Sequence, residues 1–84
     1  MTETQFQILD VLYFAESFDS IVEETGLPRS LVKEELKELI SKGWVCALKY
    51  DEGARDWTPS AFYDLEQDFK YMATREGLMR HAGR

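Results

Sequence analysis

The chain has 84 residues and a formal net charge of −6, which is the size of one domain, predicted here over residues 1–84. Phosphate repels a chain of this charge at long range, so the composition excludes a general nucleic-acid binder. The single cysteine, Cys46, excludes an internal disulfide, and the sequence shows neither a signal peptide nor the roughly 20-residue apolar run of a membrane helix, so we expect a cytoplasmic protein.

The N-terminal part of the chain has the pattern of two helices. Residues 4–15 predict an amphipathic helix whose apolar side chains cover more than one face. After a break at residues 17–18, Asp19 is a suitable N-cap for a second helix over residues 20–25. Gly26 can adopt the left-handed conformation that ends this second helix.

A third helix and a strand follow. Pro28 fits the first position of a helix that runs to about Lys42 with its apolar residues on one face. At Gly43 the apolar period changes from 3.6 to 2, which predicts a strand over residues 44–50. Two helices joined near Gly26 are therefore expected to lead into a sheet.

The remainder of the chain is predicted to return to this strand and to end in a helix. Residues 51–68 are polar and long for a hairpin connection, and Thr58-Pro59 predicts a short helical turn within them. Residues 69–73 predict a second strand, antiparallel to the first. Thr74 is a suitable N-cap for a last helix over residues 75–81.

Together these elements predict an α+β fold: a winged helix-turn-helix with a three-helix core, a two- or three-stranded β-wing and a short C-terminal helix. The run TGLPRSLVKEELKELISKGWV, residues 25–45, resembles the DNA-binding domains of isocitrate-lyase-type and multiple-antibiotic-resistance-type repressors. The run KYMATREGLMR, residues 70–80, resembles the end of the wing in the latter type. The resemblance spans roughly residues 4–80 and implies a transcriptional regulator that binds double-stranded DNA.

In such regulators the third helix enters the major groove, so the resemblance implies DNA contacts from the exposed residues of this helix. Arg29, Lys33 and Lys37 recur every four positions and form one basic stripe along the helix. Glu34 and Glu38 form an acidic row next to this stripe. A solvated helix face of mixed charge is the alternative interpretation. The third-helix positions that match the family are Arg29, Ser30, Lys33, Glu34 and Lys37.

The predicted wing is a poorer match to DNA because its acids outnumber its bases. Lys49, Arg55 and Lys70 are the bases placed to contact phosphate, among six acids: Asp51, Glu52, Asp56, Asp64, Glu66 and Asp68. The aromatic residues Trp57, Phe62 and Tyr63 either fold back onto the sheet as a small satellite core or form a protein-binding patch. DNA-binding transcription regulation is the leading function, and a protein-protein interaction module without significant DNA affinity is the alternative.

The first helix is also predicted to form a homodimer, because it has more apolar residues than one core-facing side requires. The residues assigned to this self-association are Val11, Tyr13, Phe14 and Leu78. In the alternative interpretation, residues 51–68 cover the first helix within one chain through Trp57 or Phe62.

Other chemistry has little support in the sequence. The carboxylates have no histidine beside them, so an enzyme is not predicted. Cys46 and His81 are far apart and lack a third ligand of suitable type, so no metal is expected. The chain also has no phosphate-binding glycine loop, and no cofactor is predicted.

Overall fold

The computed structural model describes residues 1–83, so the last residue of the predicted domain, 84, lies outside the described residues. Within this range the chain has the predicted α+β fold, with four helices and one four-stranded antiparallel sheet of strand order β1-β4-β2-β3. The elements are α1 Glu3–Val11, β1 Glu16–Ser17, α2 Phe18–Thr25, α3 Arg29–Ser41, β2 Val45–Asp51, β3 Asp56–Ser60, β4 Lys70–Ala73 and α4 Arg75–Ala82. Every helix in the described part is too short or too polar to cross a bilayer.

Helix α1 is shorter than the 4–15 helix predicted from the sequence. It begins with a capping box, in which the Thr2 hydroxyl accepts the Gln5 N–H and the Gln5 side chain accepts the Thr2 N–H. It ends at Val11, and the carbonyl of the next residue, Leu12, accepts the Ala73 N–H at 2.9 Å. The chain therefore leaves the helix early because its backbone turns to join strand β4.

The second and third helices are joined as predicted, but the N-cap of α2 is different. The Ser17 hydroxyl accepts the Ser20 N–H at 3.1 Å, so Ser17 is the cap and the prediction of Asp19 is wrong. This earlier start places Phe18 in the core, where it is buried. Gly26 is left-handed, with φ +68°, and α3 begins directly after Pro28.

The predicted pairing of the two strands is confirmed, since β2 pairs antiparallel with β4. Two further strands, β1 and β3, bring the sheet to four strands, where two or three were predicted. β1 has only two residues and pairs with β4 through Glu16 and Tyr71. β3 pairs with the other side of β2, with Tyr50 opposite Trp57.

The helical turn predicted after Thr58-Pro59 is wrong, because these residues belong to β3. A tight turn returns the chain directly after β2. The Asp51 carboxylate accepts the N–H groups of Gly53 and Ala54, and Arg55 adopts a left-handed φ of 56°. This turn makes β2 and β3 a hairpin, and residues 61–69, which we call the return segment, then lead back to β4.

The core lies where α1, α2 and α3 meet the sheet. Tyr71 of β4 is its largest fully buried side chain, and Leu65 and Phe69 of the return segment are buried in the same cluster. The polar side chain of Gln5 is also buried and donates its amide to the Glu35 carboxylate at 2.9 Å, which links α1 to α3.

Candidate nucleic-acid interface on helix α3

Helix α3 buries one side in the core, and the predicted basic stripe runs along the edge of this side. Val32, Leu36 and Leu39 are fully buried, as the apolar period predicts. The residues assigned to DNA are Arg29, Ser30, Glu34 and Lys37, which are exposed, and Lys33, which is half-exposed. The stripe of Arg29, Lys33 and Lys37 therefore remains accessible on the folded domain.

Arg29, at the start of the stripe, already has intramolecular partners. Its Nη1 lies 2.7 Å from the Asp19 carboxylate, and its guanidinium lies 4.6 Å from the centre of the Phe18 ring. Both members of the ion pair are largely exposed, so the pair contributes about 1 kcal/mol or less to stability. The position of Arg29 is defined by α2, and its charge is partly neutralised there.

Lys33 and Lys37 line a surface cleft of about 280 Å³ together with two acidic residues of the return segment. The cleft is lined by Lys33, Lys37, Tyr63, Asp64, Leu65 and Glu66. Among residues 1–83, no carboxylate lies within ion-pair distance of either lysine. The two lysines thus keep their charges available to an anion, but that anion would approach next to acids.

A second cleft of about 280 Å³ continues along the same segment towards Arg29. Its lining includes Arg29 and Asp19 on the helical side, and Glu66, Gln67 and Asp68 on the other. Residues 64–68, with three acids, therefore run beside the whole basic stripe, and we refer to them as the acidic segment.

The acidic segment is held by its own hydrogen bonds and by buried anchors. The Asp64 carboxylate accepts the Glu66 N–H at 2.9 Å, and the Asp64 carbonyl accepts the Gln67 N–H at 3.0 Å. Leu65, within the segment, and Phe69, directly after it, are buried. Sequence reasoning missed this placement, although two apolar residues four positions apart in a polar stretch were a signal of it.

The three cations predicted on the wing do not join the stripe in either of these clefts. Lys49 lines a different cleft with Asp51 and Glu52, on the β2–β3 hairpin. Arg55 is exposed at the turn of that hairpin, and the Lys70 ammonium lies 4.9 Å from the centre of the Trp57 ring.

The aromatic residues between β2 and β4 were predicted either to fold back onto the sheet or to form a protein-binding patch, and they differ in their environment. Trp57 is half-buried and meets Tyr50 edge to face, with ring centres 5.5 Å apart. Tyr63 packs against the core, whereas Phe62 leaves 62% of its surface exposed. Trp57 and Tyr63 therefore pack onto the domain, whereas Phe62 meets the buried Phe69 edge to face and keeps most of its surface exposed.

The residues assigned to self-association are in two environments. Val11 and Leu78 are half-buried and pack against the core. Phe14 is 75% exposed, and Tyr13 is exposed while its hydroxyl lies 2.8 Å from His81 Nδ1. The exposed part of this predicted surface is thus reduced to Tyr13 and Phe14.

Helix α4 packs on α1 and covers it. Trp57 and Phe62, predicted as the alternative cover, have their ring contacts elsewhere, with Tyr50 and Phe69 respectively. The His81 ring stacks on Phe6, with centres 4.2 Å apart and planes 15° apart. His81 Nε2 also lies 3.4 Å from the Asp10 carboxylate, an ion-pair distance without hydrogen-bond geometry. The sequence did not predict that His81 would connect α4 to α1, because no local pattern places these two helices side by side.

Two further features are the possible metal ligands and the thiol of Cys46. Among residues 1–83, no group of three His, Cys, Asp or Glu side chains is placed to hold a metal ion. Cys46 is half-buried on β2, and burial raises the pKa of its thiol, which disfavours the nucleophilic thiolate.

In the comparisons with known proteins, no family model and no curated protein matches this chain.

Proposed function

We propose that the chain is a winged helix-turn-helix domain that binds double-stranded DNA in the cytoplasm as a transcriptional regulator, with α3 as the recognition helix. Support comes from the order of elements, in which α2, the left-handed turn at Gly26 and α3 lead into antiparallel strands. The short strand β1 pairs with β4, which in turn pairs with β2, and these strands belong to one sheet. On this proposal, the β2–β3 hairpin is part of the wing.

The observation that carries the proposal is the accessible pair of lysines on α3. Lys33 and Lys37 flank the buried residues of the helix, Lys37 is exposed and Lys33 is half-exposed, and neither is in an ion pair within residues 1–83. DNA phosphates would neutralise these charges and release counterions. Because the whole chain carries −6, binding should be weak and strongly dependent on salt.

Titration of a labelled duplex at several salt concentrations tests this proposal. If the three stripe cations, and at most Lys49 and Lys70 besides, meet phosphate, log K should fall against log salt with a slope of about −3 to −5 per protomer. Lys37→Glu should weaken binding to every duplex. Arg75→Glu is the matched control, because it makes the same change of charge at an exposed residue on α4.

A protein-protein interaction module is the second candidate, favoured by the acidic segment beside α3 and by the exposed ring of Phe62. Acids along the stripe oppose phosphate, and a large exposed aromatic side chain is typical of protein interfaces. The same titration separates the two functions. Absence of binding to any duplex at about 50 μM protein and low salt would exclude the first and favour the second.

A further inference from the structure

The acidic segment and the basic stripe are opposed along their length. Asp64 and Glu66 share a cleft with Lys33 and Lys37, and Glu66 and Asp68 share the next cleft with Arg29. Three carboxylates thus lie beside three cations. In the sequence these two groups are 27 to 39 residues apart, and only the return of residues 61–69 to β4 brings them together.

We propose that the acidic segment is an autoinhibitory element that repels DNA phosphate from the cations of α3. The inference rests on the proposed function, because it concerns the DNA affinity of the same surface. A phosphate that reaches Lys33 or Lys37 comes close to the carboxylates of Asp64 and Glu66 and is repelled by them. The segment therefore lowers the affinity of α3 for every DNA sequence.

The fold keeps the acidic segment in this place. The buried side chains of Leu65 and Phe69 anchor it to the core, and displacement would expose both. The hydrogen bond from the Glu66 N–H to the Asp64 carboxylate stabilises the turn itself. The inhibition is thus a permanent feature of the folded domain and does not depend on a mobile lid.

The acidic segment would repel phosphate across solvent, so this repulsion should depend on salt concentration. No carboxylate of the segment is within ion-pair distance of a stripe cation in the described residues. Interactions between exposed charges across a cleft are screened as the Debye length falls from about 14 Å at 50 mM salt to about 6 Å at 300 mM. The inhibition should therefore be strong at low salt and weak at high salt.

The test compares two triple variants that raise the net charge equally. Asp64→Asn/Glu66→Gln/Asp68→Asn removes the charges of the segment, and the asparagine at position 64 keeps an oxygen that can accept the Glu66 N–H. Asp10→Asn/Glu23→Gln/Glu24→Gln is the control. These residues are exposed on α1 and α2, and Asp10 and Glu24 line a cleft that shares no residue with those beside α3.

At 50 mM salt we expect the segment variant to bind a labelled duplex about tenfold more tightly than the unmodified chain, and the control variant no more than about threefold. The difference between the variants should shrink at 300 mM salt. Equal gains in both variants would overturn the autoinhibition while leaving DNA binding intact. If neither variant nor the unmodified chain binds any duplex, the proposed function fails, and this inference fails with it.

A single variant keeps the test decisive if the triple variant does not fold, which circular dichroism will show. The Glu66 side chain takes no part in the hydrogen bonds of the turn, so Glu66→Gln should leave the fold unchanged. We expect it to raise affinity about twofold at 50 mM salt. An unchanged affinity for this folded variant would overturn the proposal.

Discussion

Gly77 lies directly against the carbonyl of Trp44, so closely that a Cβ at position 77 would overlap this oxygen. The same carbonyl accepts the Thr74 N–H at 2.9 Å. The Thr74 hydroxyl donates to the Gly43 carbonyl at 2.6 Å and accepts the Gly77 N–H at 3.1 Å. The start of α4 is therefore fixed to the junction between α3 and β2.

Gly77→Ala should lower the free energy of unfolding by about 3 kcal/mol, because a backbone oxygen cannot move aside as a flexible side chain can. Urea unfolding followed by circular dichroism measures this loss. Gly53→Ala is the control, since its Cβ would meet only the Asp51 side chain at 3.3 Å, and it should cost less than about 1 kcal/mol. Equal stability of the two variants would mean that α4 is not fixed at this point.

Tyr71→Phe should leave stability unchanged or raise it by up to about 1 kcal/mol at neutral pH. The Tyr71 side chain is fully buried, and its hydroxyl has no hydrogen-bond partner in the described residues. Tyr13→Phe should instead lower the free energy of unfolding by about 0.5–1 kcal/mol, because the Tyr13 hydroxyl is hydrogen-bonded to His81. A loss of more than about 1 kcal/mol in Tyr71→Phe would show that its hydroxyl has a partner after all.

Stability should also fall at high pH because of Tyr71. Burial, and then the neighbouring Tyr63 and Asp64, raise the pKa of Tyr71 from 10.0 to about 12. Above about pH 10 the unfolded chain releases a proton that the folded chain retains, so this stabilisation is complete below pH 10 and is lost as pH rises towards 12. Relative to Tyr71→Phe, the unmodified chain should lose about 1.4 kcal/mol between pH 8 and pH 11. A constant difference between the two proteins over this range would contradict the assignment.

Phe14 should stabilise the predicted homodimer, since 75% of this large apolar side chain is exposed beside α1. Sedimentation equilibrium should detect a dimer, and Phe14→Ser should raise its dissociation constant by about tenfold. Phe62→Ser is the matched control, because Phe62 is also exposed but belongs to residues 61–69. A monomer at hundreds of micromolar that neither substitution affects would reject self-association through this surface.

The sequence alone predicted the elements that are specified by interactions over a few residues. The turn at Gly26 and the cap of α4 at Thr74 depend on backbone geometry and on hydrogen bonds within one turn. The start of α3 was predicted one residue early, since Pro28 is its N-cap and not its first residue. The pairing of β2 with β4 followed from the change of apolar period at Gly43. The apolar face of α3 was predicted for the same reason.

Only the tertiary structure decided the features that depend on residues distant in sequence. A two-residue strand such as β1 has no pattern of its own and exists because β4 supplies its hydrogen bonds. His81 acquires its role only when α4 packs on α1. The acidic segment reaches α3 because burial of Leu65 and Phe69 outweighs the tendency of a polar stretch to extend into solvent. The acidic side chains of this segment, which are solvated and far from the stripe in the unfolded chain, thereby come to lie beside the basic stripe.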